Sequence, residues 1–218
     1  MRTFLFAGAA AMALTGCFAA PEPIEIPQDW DDAAQTCFVV QSLSMREANG
    51  RGATESITLD EFSSTMQYIL IAASKGDELD FEAAMDTLDI SDALVEELGA
   101  KDYNGAVANC EKKFGIGGPD DKPELPENEQ DAILSCYAMA SFFKGTLEED
   151  EAEFGDKAKD IEAVFDRLED KVETDTDLAA KLLSGDPEQM VEDGAKQAFG
   201  EGNPKDYLEA CEARFPEE

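Results

Sequence analysis

The chain has 218 residues, with 50 acidic against 17 basic side chains, no histidine and a formal charge of −33. Hydrophobic residues make up 43%, enough to bury a core, so the composition argues against wholesale disorder. The missing imidazole excludes every triad, metal site or proton shuttle that needs histidine, and the charge opposes any binding to nucleic-acid phosphates. No motif calls for a cofactor.

The chain opens on Arg2 and an uncharged apolar run of eleven residues, Phe4 to Leu14. Roughly 20 residues are needed to span a bilayer, so the run has the length of a signal-peptide core and not of a membrane helix. It closes on Leu14-Thr15-Gly16-Cys17. This leader resembles the lipobox of bacterial lipoproteins, in which Leu and two small residues precede Cys. The resemblance covers residues 1–17 only. It implies cleavage before Cys17, a diacylglyceryl group on the Cys17 sulfur and acylation of the new amino terminus. By the sorting pattern of such lipoproteins, Phe18 in the next position implies outer-membrane delivery, anchored by lipid and facing the periplasm. The competing reading is an ordinary secretory signal cut near Ala19 or Ala20. Cysteine parity favours lipidation, because five cysteines leave an odd thiol unless Cys17 is assigned to lipid. A Pro-rich tether, residues 17–29, should then run extended to the first helix.

Beyond the tether the chain echoes itself. Glu25-Ile26-Pro27, Asp32-Ala33 and Thr36-Cys37-Phe38 return 99 residues later as Glu124-Leu125-Pro126, Asp131-Ala132 and Ser135-Cys136-Tyr137. At an offset of 101, Gly99, Val107, Cys110, Glu111, Lys113 and Phe114 meet Gly200, Leu208, Cys211, Glu212, Arg214 and Phe215. An internal duplication is the economical explanation. Thr58-Leu59-Asp60-Glu61 is echoed in turn by Thr146-Leu147-Glu148-Glu149, and each reads as a capping box that starts a helix. Ile57 and Phe62 occupy the positions of a hydrophobic staple.

Helical periodicity follows each start. Phe62, Met66, Ile69, Leu70 and Ala73 trace one face before Gly76, and Phe154, Ala158, Ile161, Phe165, Leu168 and Val172 trace another. Leu79, Ala83, Leu88, Leu94, Val95 and Leu98 suggest one broken or two short helices, with Ser91 a cap between them. Asp186-Pro187 and Asn203-Pro204 read as N-cap and N1, opening two late helices. No stretch keeps a two-residue alternation of β-branched side chains. The expectation is an all-α protein of two tandem helical repeats of about 85 residues, at 30–115 and 130–218, joined by a Pro/Gly linker at 116–129.

Duplication also selects a cysteine pairing, since a single ancestral unit had only its own two to join. Cys37 should pair with Cys110, and Cys136 with Cys211, each bridge clipping the first helix of a repeat to its last. Four buried free thiols are the alternative. A redox role is disfavoured because no Cys-x-x-Cys occurs and nothing basic surrounds Cys37 or Cys136. Tyr103 and Tyr207, seven and four residues before Cys110 and Cys211, should lie over the bridges.

Two patterns look like chemistry. Ser141-Phe142-Phe143-Lys144 matches the Ser-x-x-Lys of penicillin-binding enzymes but lacks their accompanying motifs. Glu173-Thr174-Asp175-Thr176-Asp177 resembles the opening of a calcium loop, but Leu178 and Ser184 stand where Gly and Glu belong. From Leu147 to Asp175 there are thirteen acids and four bases, mostly opposite the apolar stripe, as in an exposed helix face. The sequence thus favours a non-catalytic, lipid-anchored envelope protein that binds or scaffolds, with a basic protein as the partner its charge would attract. An inhibitor or immunity-type binder of a basic enzyme fits by analogy. The alternative is a carboxylate-dependent hydrolase of envelope glycans, and a third reading takes the acidity as adaptation to a salty habitat.

The anchor has a direct test. Cys17→Ala should move the protein from the membrane pellet to the soluble periplasmic fraction; a variant that still sediments with membranes removes the lipid assignment.

Overall fold

A computed structural model describes residues 20–52, 58–76, 79, 87, 90, 92–116, 122–149, 156–201 and 203–216. Cys17, the staple residue Ile57, the cap Ser91, and Ala83, Leu88 and Phe154 of the apolar patterns lie outside the described residues. The fold is all-α. Nine helices are found among the described residues: α1 (Trp30–Ala48), α2 (Leu59–Ala73), α3 (Asp92–Gly99), α4 (Tyr103–Phe114), α5 (Glu129–Glu149), α6 (Asp156–Thr174), α7 (Thr176–Ser184), α8 (Pro187–Gly200) and α9 (Pro204–Arg214). No helix among these residues is long and apolar enough to cross a membrane.

The helices start where short polar side chains can satisfy free amides. Asp29 accepts from the amides of Asp31 and Asp32, Asp102 from Gly105, Asn128 from Asp131, and Asp175 from Asp177 and Leu178. Asp186 and Asn203 cap α8 and α9, each with proline in the first turn. Thr58 and Glu61 form the reciprocal capping box of α2. At the other end of α4, Gly115 takes the left-handed conformation, φ 70°, that terminates a helix at little steric cost.

The second expected capping box is not formed. Thr146 lies inside α5, and its hydroxyl donates to the Phe142 carbonyl, 2.9 Å away. α5 continues because Phe142 and Phe143, one turn earlier, are already buried against Phe199 and Phe62. Holding those rings in a continuous helix outweighs a cap, and the hydroxyl takes the i−4 carbonyl instead.

In the first half α1 packs on α2, α3 and α4; in the second α5 packs on α6, α8 and α9. Disulfides Cys37–Cys110 and Cys136–Cys211 join α1 to α4 and α5 to α9. Residue pairs aligned in the sequence occupy matching contacts. Lys113 donates to the Gln28 carbonyl ahead of α1, and Arg214 donates to the Pro126 and Glu127 carbonyls ahead of α5. Phe114 and Phe215 are both buried at the ends of their helices, and Gly99 and Gly200 both end the helix before.

The halves are not separate beads. α2 packs against α8 and α9 as well as α1. Ser63 Oγ donates to Asn203 Oδ1 and accepts from the Lys205 amide, both at 2.9 Å, while the Phe62 and Phe143 rings meet edge to face across the seam. One continuous hydrophobic cluster includes Val40, Met66, Ile69, Leu134, Phe199 and Leu208. Within the second half, α5 and α8 approach so closely at Gly194 that a Cβ there would sit 3.1 Å from the Leu134–Ser135 backbone.

Residues 20–28, the described part of the expected tether ahead of the α1 cap, contain no helix, and much of this segment is docked. The Asp102 amide donates to the Glu22 carbonyl at 2.8 Å, Ile24 is buried in the core, and Ile26 packs against it. The Pro-rich chain exposes few donors of its own, and Ile24 and Ile26 provide the apolar area that holds it down.

Each bridge closes a loop of more than seventy residues. Replacing Cys136 and Cys211 together by Ala should lower unfolding free energy by roughly 4 kcal/mol on the chain-entropy account, read from urea midpoints. A loss below about 1 kcal/mol would show that packing alone holds α9 on α5.

Candidate functional site

All four bridging cysteines are fully buried and disulfide-bonded, which leaves them a structural role. The two tyrosines have diverged. Tyr207 is buried and donates to Ser135 Oγ at 2.9 Å, beside Cys136; burial pushes its hydroxyl up to about 12 against the opposing Ser135 bond. Tyr103 is only partly buried at the start of α4, and burial together with a bond to the Glu47 carboxylate raises it. Its aromatic counterpart in the first-half core is Tyr68, whose ring meets Phe114 edge to face at 5.2 Å.

The chemistry-like patterns do not assemble. Ser141 Oγ is buried and has no hydrogen-bond partner, while the Lys144 ammonium lies 4.1 Å over the Phe165 ring and 4.0 Å from Asp166. Lys144 therefore covers an aromatic surface and does not activate a hydroxyl. Asp175 of the calcium-like segment is spent as the N-cap of α7. No group of three or more potential ligands that could hold a metal occurs among the described residues.

A cluster that sequence spacing reveals only in part surrounds Glu61. This side chain is 6% exposed. Glu61 Oε2 accepts from the Thr58 amide at 2.7 Å; Oε1 accepts from Asn49 Nδ2 at 2.6 Å and from the Arg51 guanidinium. Burial alone would push the carboxyl up. The Arg51 bond, with those from Thr58 and Asn49, outweighs it and holds the value down at about 2. Glu61 thus ties the α1–α2 loop to the first turn of α2. The capping box was legible from Thr58-x-x-Glu61, whereas Arg51 and Asn49 come from a loop whose path no local pattern specifies.

Two clefts lie between the halves. The first, about 230 Å³, has an apolar floor of Leu59, Phe143, Ile161, Val164 and Leu208, drawn from α2, α5, α6 and α9. Its rim carries Asp60, Lys205, Glu209 and Glu212. Lys205 pairs with Asp60 at 3.4 Å and Glu209 at 3.5 Å, so two carboxylates share one ammonium there, and the Arg167 guanidinium lies 3.8 Å from Glu212. The Glu209 and Glu212 side chains are exposed. The second cleft, about 490 Å³, is polar, lined by Gln41, Gln67, Glu124, Glu201, Asn203 and Asp206 among others. Its three acids are exposed. A glycan hydrolase needs an acid held protonated in an apolar pocket. The buried carboxylate among the described residues is Glu61, and its ion pair and caps hold it ionised.

No protein-family model, no curated protein and no solved structure matches this chain.

Because the folded-state value of Glu61 lies below the ordinary 4.5, its contribution is complete above about pH 4.5 and is lost as pH falls toward about 2. Glu61→Gln should therefore cost about 2 kcal/mol at neutral pH, and the gap from the parent protein should narrow as pH drops below about 5, measured by urea unfolding across pH. A gap that is the same at pH 7 and pH 3 would show that shape, and not ionisation, is what Glu61 contributes.

Proposed function

We propose that this chain is a lipid-anchored, non-catalytic binding module of the bacterial cell envelope, and that it engages a basic protein partner at the apolar cleft between its halves. The leader supports the anchor: a short apolar run ends in Leu14-Thr15-Gly16-Cys17, and Cys17 is the cysteine left over from the two bridges. The matching bridges and Lys113/Arg214 contacts support descent of the two halves from one doubled unit.

The observation that carries the binding reading is the composition of the cleft. Leu59, Phe143, Ile161, Val164 and Leu208 offer apolar contact, and Asp60, Glu209 and Glu212 border them, with Lys205 between the first two and Arg167 against the third. A segment with an apolar side chain flanked by lysines or arginines satisfies both parts: the apolar group enters the floor and the cations meet the rim. The excess of over thirty negative charges steers such a partner from a distance, most strongly at low ionic strength. An inhibitor or immunity-type role toward a basic enzyme is one biological setting for such binding.

Calorimetric titration of the full chain with a short amphipathic Lys–Leu peptide, and with its Glu–Leu counterpart, tests this. Only the cationic peptide should bind, more weakly as salt is raised. Reversing both rim charges, Glu209→Lys with Glu212→Lys, should weaken it about tenfold or more. Equal binding of both peptides, or no response to the reversal in a variant with unchanged circular dichroism, rules the cleft out.

A further inference from the structure

We infer that the body of the protein is held close to the lipid surface with one end toward it, the α1 C-terminus and the α4 N-terminus lying nearer the headgroups than the opposite end. This rests on the proposed acylation of Cys17 and concerns what the anchor does once present.

The geometry follows from where residues 22–28 are tied to the body. Glu22 is tied through its carbonyl to the Asp102 amide, Pro23 bridges to Asp102, and Ile24 is buried. At the far end of the segment, Lys113 holds the Gln28 carbonyl at 2.9 Å. Residues 22–28 therefore run alongside α4 from its first turn to its last. Only five peptide steps separate Cys17 from Glu22, a reach of about 17 Å at full extension. Glu22, tied to Asp102, cannot lie farther than that from the acylated residue. A free tether through residue 29 would reach more than twice as far, about 40 Å, and would leave orientation open.

The end that this brings to the membrane is defined by several contacts. Asp102 and Tyr103 open α4 there, Asn104 donates to the Glu47 carboxylate in the last turn of α1, and Lys101 pairs with Glu97 at the close of α3. The opposite end carries Trp30 against Phe114, with the Lys113 ammonium 4.8 Å and the Lys75 ammonium 5.4 Å from the Trp30 ring. The twelve residues of α4 separate the two ends by about 18 Å along its axis. The proximal end also carries exposed carboxylates, Glu22 and Glu47, so attraction to anionic lipid is not what holds it. The covalent tether does, and a zwitterionic surface suffices. Leu59 and Asp60 of the acid-rimmed cleft begin α2 at this same end, where Glu61 meets Asn49 and Arg51, so a partner seated there is met close to the bilayer.

The test uses the full, acylated chain in phosphatidylcholine–phosphatidylethanolamine vesicles that contain a headgroup-borne quencher. A fluorophore is placed on a single added thiol, Ala100→Cys at the proximal end or Lys112→Cys at the distal end, both exposed positions. Mass spectrometry of the amino-terminal peptide records acylation first. Fluorescence at position 100 should be quenched about threefold more than at 112, given the axial rise of α4. A flexible Gly–Ser insertion between Ala19 and Ala20, which leaves the docked segment intact, should reduce quenching at 100 and bring the two positions together. Equal quenching with the native tether, or no response to the insertion, overturns the orientation while the lipid anchor stands. An unmodified Cys17 overturns the anchor itself, and this inference with it.

Discussion

Burial of α2 between the two halves is the constraint on which the rest of the structure depends. Tyr68, Met66, Ile69 and Leu70 are essentially inaccessible to solvent, and each such side chain contributes about 2 kcal/mol relative to exposure. One face of α2 packs on α1 and another on α8 and α9, so the helix belongs to both halves. This explains why its first turn is so heavily secured. A helix buried on several sides cannot leave its leading amides unpaired: Thr58 and Glu61 each accept from the other's amide, while Asn49 and Arg51 donate to the Glu61 carboxylate and fix the loop that precedes the helix.

The charge makes this core necessary and also shapes its use. Over thirty excess carboxylates repel one another, and among the described residues Glu61 is the carboxylate that the core takes in. Two covalent bridges oppose that repulsion by holding α1 to α4 and α5 to α9. Where the halves meet, their apolar stripes are not completely covered, and a shallow cleft floored by Phe143 and Leu208 persists beside exposed acids. The proposed binding reading draws on the same two features that the fold has to reconcile: a joined apolar interior and an anionic shell.

The docked tether adds a further constraint of the same kind. Ile24 and Ile26 extend the core outward along α4, so packing reaches to within a few residues of the proposed lipid attachment. A segment that composition alone would class as a spacer thereby becomes part of the domain. Proline content favours an extended chain, because φ is locked and donors are few. It does not say whether an extended chain lies free or lies in a groove.

The sequence by itself determined the helical class, the helix starts after Thr58, Asp186 and Asn203, and the cysteine partners. Thr58, Asp186 and Asn203 act on amides two or three residues away, so their effect is complete within one turn and readable there. The bridges were legible because the offsets of 99 and 101 place Cys136 and Cys211 on the positions of Cys37 and Cys110. Only the tertiary structure decided that Thr146 continues a helix, that Arg51 completes the Glu61 cluster, that α2 is shared between the halves and that a cleft opens at their seam. Each of these is a choice among local options of similar free energy. Contacts across the fold settle it: the Phe62–Phe143 and Ser63–Asn203 pairs lie far apart in the chain, and even Arg51 and Glu61, ten residues apart, meet through a loop whose path no local pattern sets.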